Sequence, residues 1–360
     1  MKQGIKPVGE TGKISRNRLL LVAMVILGVC AMVVTLGVTL GFQSEREVVL
    51  SGKTMGTTYH IKAIIRGKMS ADHLQRLVDE RLVAVNRSMS IFDPKSEISR
   101  FNRAGVEEPV AISPGFQKVM VEGMRIHGLT KGAWDATVSP LVELWGFGRG
   151  EAPTRIPQKA QIAEALKKVG LQGVGMRENA LVKRQEGLSL NLGSIAKGYG
   201  VDALAELLKA KNVNDFLVEV GGEVYAEGHR KDGRVWRVGI SSPERGAVSG
   251  DLFQVRTLQG QALATSGDYR NYLEVNGRIW THVIDPRTGY PVENGITSAS
   301  VQAGSTLMAD GLATALMVMG AEEGVRLVES LKGVECLLIE RTPGGDLRTH
   351  ASSGWVSSAQ

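Results

Sequence analysis

Cysteine is scarce in this sequence, and the patterns that define several common site types are absent. Cys30 and Cys336 are the two cysteines among 360 residues, which excludes a disulfide framework. There is no CxxC pair and no Cys/His cluster with the spacing of a zinc site. The GxxxxGK[ST] motif of P-loop nucleotide-binding proteins, fixed-period repeats and low-complexity tracts are also missing. A zinc protein, a P-loop enzyme and a repeat protein are therefore not expected.

Charge is absent from residues 19–42, a run of 24 residues. As a helix this run would be about 36 Å long, and the hydrocarbon core of a bilayer is about 30 Å thick. Before it, five lysines and arginines stand against one glutamate, and cations on the N-terminal flank keep that flank in the cytoplasm. We predict a cytoplasmic basic segment at 1–18, a single-pass inner-membrane anchor at 19–42, a linker at 43–47 and a periplasmic domain after it.

Two alternatives to an uncleaved anchor stay open. A cleaved signal peptide has an apolar core of about 7–15 residues, shorter than this run. The stretch 27–30, LGVC, resembles a lipoprotein site in which valine replaces the small residue before the cysteine.

The basic flank also explains most of the net charge, because five cations and one acid leave +4 of the total +6 within residues 1–42. No nucleic-acid partner is therefore predicted.

The order of helical and strand patterns after residue 47 predicts the fold class. Helical periodicity or capping residues mark the segments 72–86, 114–129, 158–169, 194–211, 307–319 and 322–331. Strand patterns mark 48–65, 188–192 and a series of short, glycine-punctuated stretches within 216–303. Helices lead and strands dominate later, which favours an α+β fold with largely antiparallel sheets flanked by helices, preceded by one transmembrane helix. No linker divides residues 48–352, so they are predicted to form one domain.

Asp310 and Thr314 interrupt the apolar helical stretch LMADGLATALMVM at 307–319. Residues four apart lie on one helix face, and burying an unpaired carboxylate is costly because the charged form loses its water. The two side chains either cap a loop and bond a backbone carbonyl, or bind a hard cation. Magnesium takes few protein ligands and completes its shell with waters and phosphates. We therefore predict a magnesium site at Asp310 and Thr314, completed by a backbone carbonyl of the turn at 193–195.

The stretch SLNLGSIAKGYGVD at 189–202 predicts a strand, a turn and the start of a helix. A helix N-terminus presents unpaired N–H groups and favours anions. Lys197 lies in the first turn, where a cation is unfavourable unless an anion is close, so it either binds a phosphate or points into solvent. In VEVGGEVYAEG, Gly221 and Gly222 either form a hairpin or allow a flat ring or a phosphate to approach the backbone.

His282 lies at the end of a strand in WTHVIDPRTGYP, residues 280–291. Asp285 before Pro286 is expected to initiate a turn, and Gly289 allows a positive φ. The histidine is either a catalytic acid or base or an ordinary surface or packing residue.

Seven stretches together resemble the ApbE family, the FAD:protein FMN transferases. In chain order they are TMGTTY, SIFDPKSEISRFN, GAWDATVSP, NLGSIAKGYGVD, VEVGGE, THVIDPRTG and MADGLATAL. They follow the family's order and cover most of the chain from about residue 48 to residue 320. The resemblance implies a flavin transferase domain over 48–352 that splits FAD, joins FMN through its phosphate to a threonine or serine of a target protein, and releases AMP.

The resemblance also implies the roles of individual residues. The Mg²⁺ ligands would be Asp310, Thr314 and the backbone carbonyl of Ser194. His282 matches the histidine that the family places beside the reacting phosphate, and we predict it, with Asp310 as a rival, to be the base toward the acceptor hydroxyl. Lys197 would neutralise charge on the pyrophosphate. The residues expected to contact FAD are Met55, Ala133, Trp134, Asp135, Asn191, Lys197 and Ile284.

The implied partner is a flavoprotein that carries a Ser/Thr-Gly-Ala-Thr/Ser motif. If water replaced the acceptor hydroxyl, the products would be FMN and AMP, so a Mg²⁺-dependent FAD pyrophosphatase is an alternative. A flavin-binding protein without turnover is another, and a structural envelope protein without flavin conflicts with the cost of burying Asp310.

The sequence departs from the family pattern at Asn191, where many members have aspartate, and at Phe92, which replaces a tyrosine. NGITSAS at 294–300 loosely resembles the acceptor motif and would place self-flavinylation at Ser300, but the same letters alternate as an ordinary strand.

Overall fold

The computed structural model describes residues 16–41, 45–148, 156–244, 251–268, 272–275 and 278–356. The chain divides into two compact units, Met1–Glu45 and Arg46–Gln360. The first contains helix α1 (Arg16–Gly41). Within the residues that the structure describes, no helix is long and apolar enough to cross a membrane. The anchor at 19–42 stays a prediction, and most of the basic segment at 1–18 lies outside the described residues.

Several helices of the second unit begin after a serine whose hydroxyl caps the first turn. At residue 114, for example, the Ser113 hydroxyl accepts a hydrogen bond from the N–H of Phe116 at 3.3 Å, and Pro114 occupies the first turn. All six predicted helical segments are present. The helices are α2 (Ala71–Met89), α3 (Glu97–Arg103), α4 (Pro114–Leu129), α5 (Ser139–Leu144), α6 (Lys159–Leu166), α7 (Ala196–Ala210), α8 (Thr306–Met319) and α9 (Ala321–Glu329).

The strands form one large sheet and three small ones within the described residues, and every pairing of named strands is antiparallel. The large sheet contains, in chain order, β1 (Arg46–Thr54), β2 (Thr57–Ile65), β6 (Phe216–Val220), β7 (Glu223–Glu227), β10 (Gln261–Gly267), β13 (Ile296–Ala303), β14 (Glu335–Arg341) and β15 (Leu347–Ala351). They are hydrogen-bonded in that same order. The small sheets contain β3 (Val110–Ala111), β4 (Val174–Arg177) and β5 (Ala180–Lys183); β8 (Trp236–Ser241) and β9 (Leu252–Leu258); and β11 (Tyr272–Val275) and β12 (Arg278–Thr281). The predicted α+β class is confirmed.

Among the described residues, three hydrophobic cores support these elements. The main core joins one face of the large sheet to α2, α4, α7 and α8. A second core joins the opposite face, through residues such as Val224 and Leu263, to Trp236 and Leu258 of the β8–β9 pair. The third core, built around Trp145 and Trp280, joins α5 and α6 to the segment that carries His282.

The strand predicted at 188–192 is wrong. Residues 188–192 are not a strand. The backbone N–H and carbonyl of Leu190 bond a side chain instead of the backbone of a neighbouring strand. Asn102 donates to the carbonyl of Leu190 at 2.9 Å and accepts from its N–H at 2.7 Å. The N–H of Asn191 donates to the carbonyl of Ala136 at 2.7 Å, so the segment is held by two separate parts of the chain.

Candidate active site

Helices α7 and α8 pack so that each supplies a carboxylate to the first turn of the other. Asp310 on α8 accepts a hydrogen bond from the N–H of Gly198 on α7 at 2.9 Å. Asp202 on α7 accepts from the N–H groups of Thr306 and Leu307 on α8, at 2.8 and 2.9 Å. First-turn N–H groups have no intrahelical partner and carry the positive end of the helix dipole. This reciprocal capping fixes the position of Asp310 relative to the start of α7.

Gly198 makes the close packing of the two helices possible. A Cβ atom on Gly198 would lie 2.4 Å from the carbonyl oxygen of Thr306 and 2.8 Å from the Cβ of Asp310. Both distances are shorter than a van der Waals contact, so any larger residue would push α8 away from α7.

Lys197 meets two carboxylates at the start of α7. Its Nζ lies 2.9 Å from Oε1 of Glu223 and 3.5 Å from Oδ1 of Asp310. The side chains of Glu223 and Asp310 are only 4% and 3% exposed, whereas 27% of the Lys197 side chain is exposed. The second oxygen of Glu223 accepts from the N–H of Thr265 at 3.3 Å. We call Lys197, Glu223 and Asp310 the charged cluster.

The charged cluster has one negative charge more than its single ammonium can balance. Burial, and then repulsion by Asp310, raises the pKa of Glu223 to about 7. Burial alone would lower the pKa of Lys197, but Asp310 and Glu223 outweigh it and the net shift of that pKa is upward. The cluster therefore favours a further cation.

The oxygen donors predicted for magnesium fit this electrostatic setting. Asp310, Thr314 and Ser194 line one cavity, and the Thr314 hydroxyl lies 3.2 Å from that of Ser266. In the described part of the chain, no group of three or more His, Cys, Asp or Glu residues could hold a metal ion. A metal site here would therefore rely on hydroxyl and carbonyl oxygens beside Asp310, which suit Mg²⁺. The ligand set itself stays a prediction.

Trp134 connects the GAWDATVSP loop to the turn before α7. Its indole N–H donates to the hydroxyl of Ser194 at 3.0 Å. The neighbouring Asp135 turns its carboxylate into the protein, where it accepts from the N–H groups of Thr137 and Leu171 at 2.7 and 2.9 Å. Trp134 thus positions Ser194, while the Asp135 carboxylate is engaged in holding the loop.

Two adjoining cavities meet beside the charged cluster. The Asp310 cavity, of about 480 Å³, is lined by every predicted site residue except Met55: Ala133, Trp134, Asp135, Asn191, Ser194, Lys197, His282, Ile284, Asp310 and Thr314. The Met55 cavity, of about 510 Å³, is lined by Met55 and Phe92 among others. The walls of both cavities include Phe147, Asn191 and Lys197. The predicted residues are therefore brought together, and Lys197 lies where the two cavities join.

His282 and Ile284 reach the Asp310 cavity from the third core. The predicted turn is present, because the N–H of Gly289 donates to the carbonyl of Asp285 at 2.8 Å and Gly289 has a φ of 80°. The His282 ring packs edge-on against Phe147, with ring centroids 6.3 Å apart. The histidine therefore lies at the wall of the site, and its role as a base stays a prediction.

Two acidic residues of the site were not predicted from the sequence. Glu223 directly follows Gly221 and Gly222, and neither interpretation of those glycines, a hairpin or a close approach of a ring or phosphate, involved the glutamate. Asp202 lies in the apolar middle of α7. Asp202 is an acid in a largely apolar stretch, which is the signal that identified Asp310, whereas Glu223 stands between Glu219 and Glu227 and gives no such signal.

Ser300 is buried within a strand, which does not suit a site of covalent modification. It is 1% exposed on β13, and its hydroxyl lies 2.8 Å from that of Thr265. The structure therefore shows the ordinary strand that was the alternative interpretation of NGITSAS.

Comparisons with known proteins agree with the resemblance found in the sequence. The model of the ApbE family matches residues 55–338. The chain is 40% identical over 310 residues to the FAD:protein FMN transferase of Vibrio cholerae, covering 86% of this chain and 92% of the relative. It is 37% identical over 337 residues to the FAD:protein FMN transferase of Haemophilus influenzae, covering 91% and 96%.

Solved structures show the same architecture. The flavin transferase ApbE from Vibrio cholerae has a TM-score of 0.79 at 38% identity and covers 86% of this chain and 98% of its own. The apo form of the Pseudomonas stutzeri flavinyl transferase ApbE has a TM-score of 0.77 at 34% identity and covers 87% and 96%. With the seven motifs gathered around two joined cavities, these matches show that the chain belongs to the ApbE family.

Proposed function

We propose that this chain is an FAD:protein FMN transferase. It joins FMN, through the phosphate, to a threonine or serine hydroxyl of a target flavoprotein and releases AMP. Membership of the ApbE family supports flavin transfer from FAD. The observation that carries the finer proposal is the position of Lys197, beside two buried carboxylates and at the junction of two cavities. A dinucleotide with two bulky ends and a central pyrophosphate matches that arrangement.

The reaction exchanges one P–O bond for another. The acceptor oxygen bonds to the FMN phosphorus, and the bond from that phosphorus to the bridging oxygen breaks. AMP leaves with the bridging oxygen and its electron pair, while the hydroxyl proton passes to a base. Lys197 supplies a positive charge that stabilises the pyrophosphate as the bond lengthens. Mg²⁺ held by Asp310, Thr314 and the Ser194 carbonyl would, when bound, neutralise further charge on the phosphates.

We propose His282 rather than Asp310 as the base toward the acceptor hydroxyl. Asp310 already accepts a hydrogen bond from Gly198 and lies beside Lys197, so each of its oxygens already has a partner and its proposed role is to hold the cation. His282 lines the same cavity and packs against Phe147, and a neutral imidazole accepts a proton near pH 7.

The competing outcome is hydrolysis of FAD to FMN and AMP. More than a quarter of the Lys197 side chain is exposed, so water can reach the charged cluster when no acceptor is bound. We therefore expect slow FAD pyrophosphatase activity in the absence of an acceptor.

The test uses the purified full-length chain with FAD and Mg²⁺, with and without a protein domain that carries the Ser/Thr-Gly-Ala-Thr/Ser motif. Mass spectrometry should detect FMN on the acceptor together with free AMP. Asp310→Ala should abolish both products, while Asp232→Ala, in an exposed turn, should leave them unchanged. FMN and AMP without an adduct would indicate a pyrophosphatase, and bound FAD without either product a flavin-binding protein.

The location of the domain is a separate part of the proposal. Export is supported by the uncharged run at 19–42 behind five cations. An alkaline phosphatase fused after residue 356 is active only outside the cytoplasm. We expect an active fusion, and an inactive fusion in cells that express it fully would contradict export.

A further inference from the structure

We propose that Glu223 makes the binding of FAD depend on a divalent cation, because it keeps the charged cluster negative until a cation binds. The inference rests on the proposed function, which takes FAD as the ligand of the two joined cavities. It assigns a role to a buried carboxylate that the transfer reaction itself does not use.

The first observation is that Lys197 lies beside two carboxylates, one more than its single positive charge can balance. Asp310 alone would balance its charge, yet Glu223 lies closer, at 2.9 Å from Nζ against 3.5 Å for Asp310. The formal charges of Lys197, Glu223 and Asp310 sum to −1. The neighbouring side chains on β10, Thr265 and Ser266, line the same cavity and are neutral, so they add no positive charge.

The second observation is that Glu223 is fixed in place. It begins β7 directly after the turn at Gly221 and Gly222, which have φ values of 59° and 101°. One oxygen is anchored by the N–H of Thr265 and the other by Lys197. The side chain is 4% exposed, so the carboxylate has no route into solvent and its charge acts on whatever occupies the cavity.

The consequence is that the net charge of the cluster controls how tightly FAD binds. The pyrophosphate of FAD carries two negative charges, which a cluster of charge −1 repels. A bound Mg²⁺ changes the sum to +1 and makes the same place attractive. Free FAD would therefore bind weakly without a cation, although Lys197 is present to receive it.

The chain contains a matched control pair between the same two elements. Lys209 near the end of α7 lies 2.5 Å from Glu227 at the end of β7, and neither residue lines the Asp310 cavity or the Met55 cavity. Glu227→Gln removes the same charge from the same kind of pair without changing the charge of the site.

The experiment measures FAD affinity of the full-length protein at pH 8, in excess EDTA and in saturating Mg²⁺. Binding is measured as the fast quenching of tryptophan fluorescence on mixing, before turnover, since Trp134 lines the Asp310 cavity. In EDTA, Glu223→Gln should bind FAD at least about tenfold more tightly than the wild type, because one repulsive charge near the pyrophosphate is removed. In Mg²⁺ the affinities of the two proteins for FAD should differ much less. Glu227→Gln should behave like the wild type in both conditions.

A second measurement needs no variant. In EDTA, raising the salt concentration should strengthen binding of FAD to the wild type, because salt screens a net repulsion. In Mg²⁺ the same change should weaken binding. Weaker binding at high salt in EDTA would overturn the proposal even if Glu223→Gln failed to fold.

The outcomes separate this inference from the proposed function. The role proposed for Glu223 would be overturned if wild type and Glu223→Gln bound FAD with equal affinity in EDTA. It would also be overturned if Glu227→Gln gained as much affinity for FAD as Glu223→Gln. Either result would leave flavin transfer intact. A wild type that binds no FAD in either condition would instead overturn the proposed function.

Discussion

At the scale of single residues, the site is built from buried charges that each need a partner. Asp310 receives a hydrogen bond from Gly198 and the ammonium of Lys197. Glu223 receives the same ammonium and the N–H of Thr265. A buried carboxylate without such partners would be protonated or would destabilise the fold. The remaining imbalance of one negative charge is the basis of the pH and cation dependence that we propose.

The contribution of Glu223 to the stability of the cation-free protein should decrease as the pH rises from about 4.5 to about 7. Glu223 has its pKa raised from 4.5 to about 7, so the folded state holds a proton that the unfolded chain has already released. The stabilisation is complete below the unfolded pKa and is lost as the pH rises through the folded one. Urea unfolding at several pH values in EDTA should show a loss on the order of 1–3 kcal/mol. Glu223→Gln should lack this component, and an identical pH dependence in that variant would contradict the assignment.

Replacing Trp134 by phenylalanine should weaken the response to Mg²⁺. The change removes the indole N–H that bonds Ser194 at 3.0 Å, which loosens the turn that carries a predicted ligand. Trp236→Phe is the matched control, because it removes an indole bond of 2.9 Å to the carbonyl of Glu227 in the second core. Both variants should lose about 1 kcal/mol of stability. We expect the half-saturating Mg²⁺ concentration to rise about threefold or more in Trp134→Phe alone, because one neutral hydrogen bond is lost. A similar rise in Trp236→Phe would show that the effect comes from a general loss of stability and not from the turn at Ser194.

At the scale of elements, the α7–α8 pair sets the geometry of the charged cluster. Lys197 and Gly198 belong to α7, and Asp310 belongs to α8. The first turn of each helix is capped by the other. The distance between the ammonium and the carboxylate therefore depends on how closely the two helices pack.

Gly198→Ala should reduce activity by more than its loss of stability explains. The new Cβ would meet the Thr306 carbonyl oxygen at 2.4 Å, and the helices must separate to relieve the clash. Overpacking of this kind costs about 1–3 kcal/mol. Gly128→Ala is the control, since a Cβ there meets nothing within 4 Å. Turnover and FAD affinity measured well below the melting temperature should fall in Gly198→Ala only; unchanged turnover in a folded variant would show that the packing distance is unimportant.

The same elements show which parts of the molecule could be predicted from sequence. The start of α4 was predictable because Ser113 and Pro114 act locally. The strand expected at 188–192 was wrong because its partner, Asn102, is 88 residues away in sequence. Asp310 could be identified because an acid stood out in an apolar helix. Glu223 and Asp202 were missed because their partners lie on other elements, and sequence spacing does not reveal which helix packs against which strand.

At the scale of the whole catalytic unit, the cavities lie where different parts of the fold meet. The main core carries Trp134, α7 and α8, whereas the third core carries Ile284, and His282 packs against Phe147 beside that core. The indole of Trp145 donates to the carbonyl of Gly289 at 2.8 Å, which ties the turn after His282 to this core. A ligand in the Asp310 cavity would therefore contact residues supported by both cores.

FAD and Mg²⁺ together should stabilise the folded protein more than the sum of their separate effects. A ligand at about 100 times its Kd adds about 2.7 kcal/mol when it binds only the folded state. The charged cluster makes each of the two favour the other, so binding should be cooperative. Thermal unfolding with AMP and FMN as controls would test this, because the separated halves lack the intact pyrophosphate. Additive shifts would argue against a shared site.

The most direct test of the account is the ratio of free AMP to FMN-modified acceptor in a single-turnover reaction. The proposed transfer releases one AMP for each acceptor hydroxyl that is modified. With excess acceptor and Mg²⁺, we predict a ratio near one in the wild type and no product in Asp310→Ala. AMP that accumulates with free FMN while the acceptor stays unmodified would contradict transfer and identify the chain as a hydrolase.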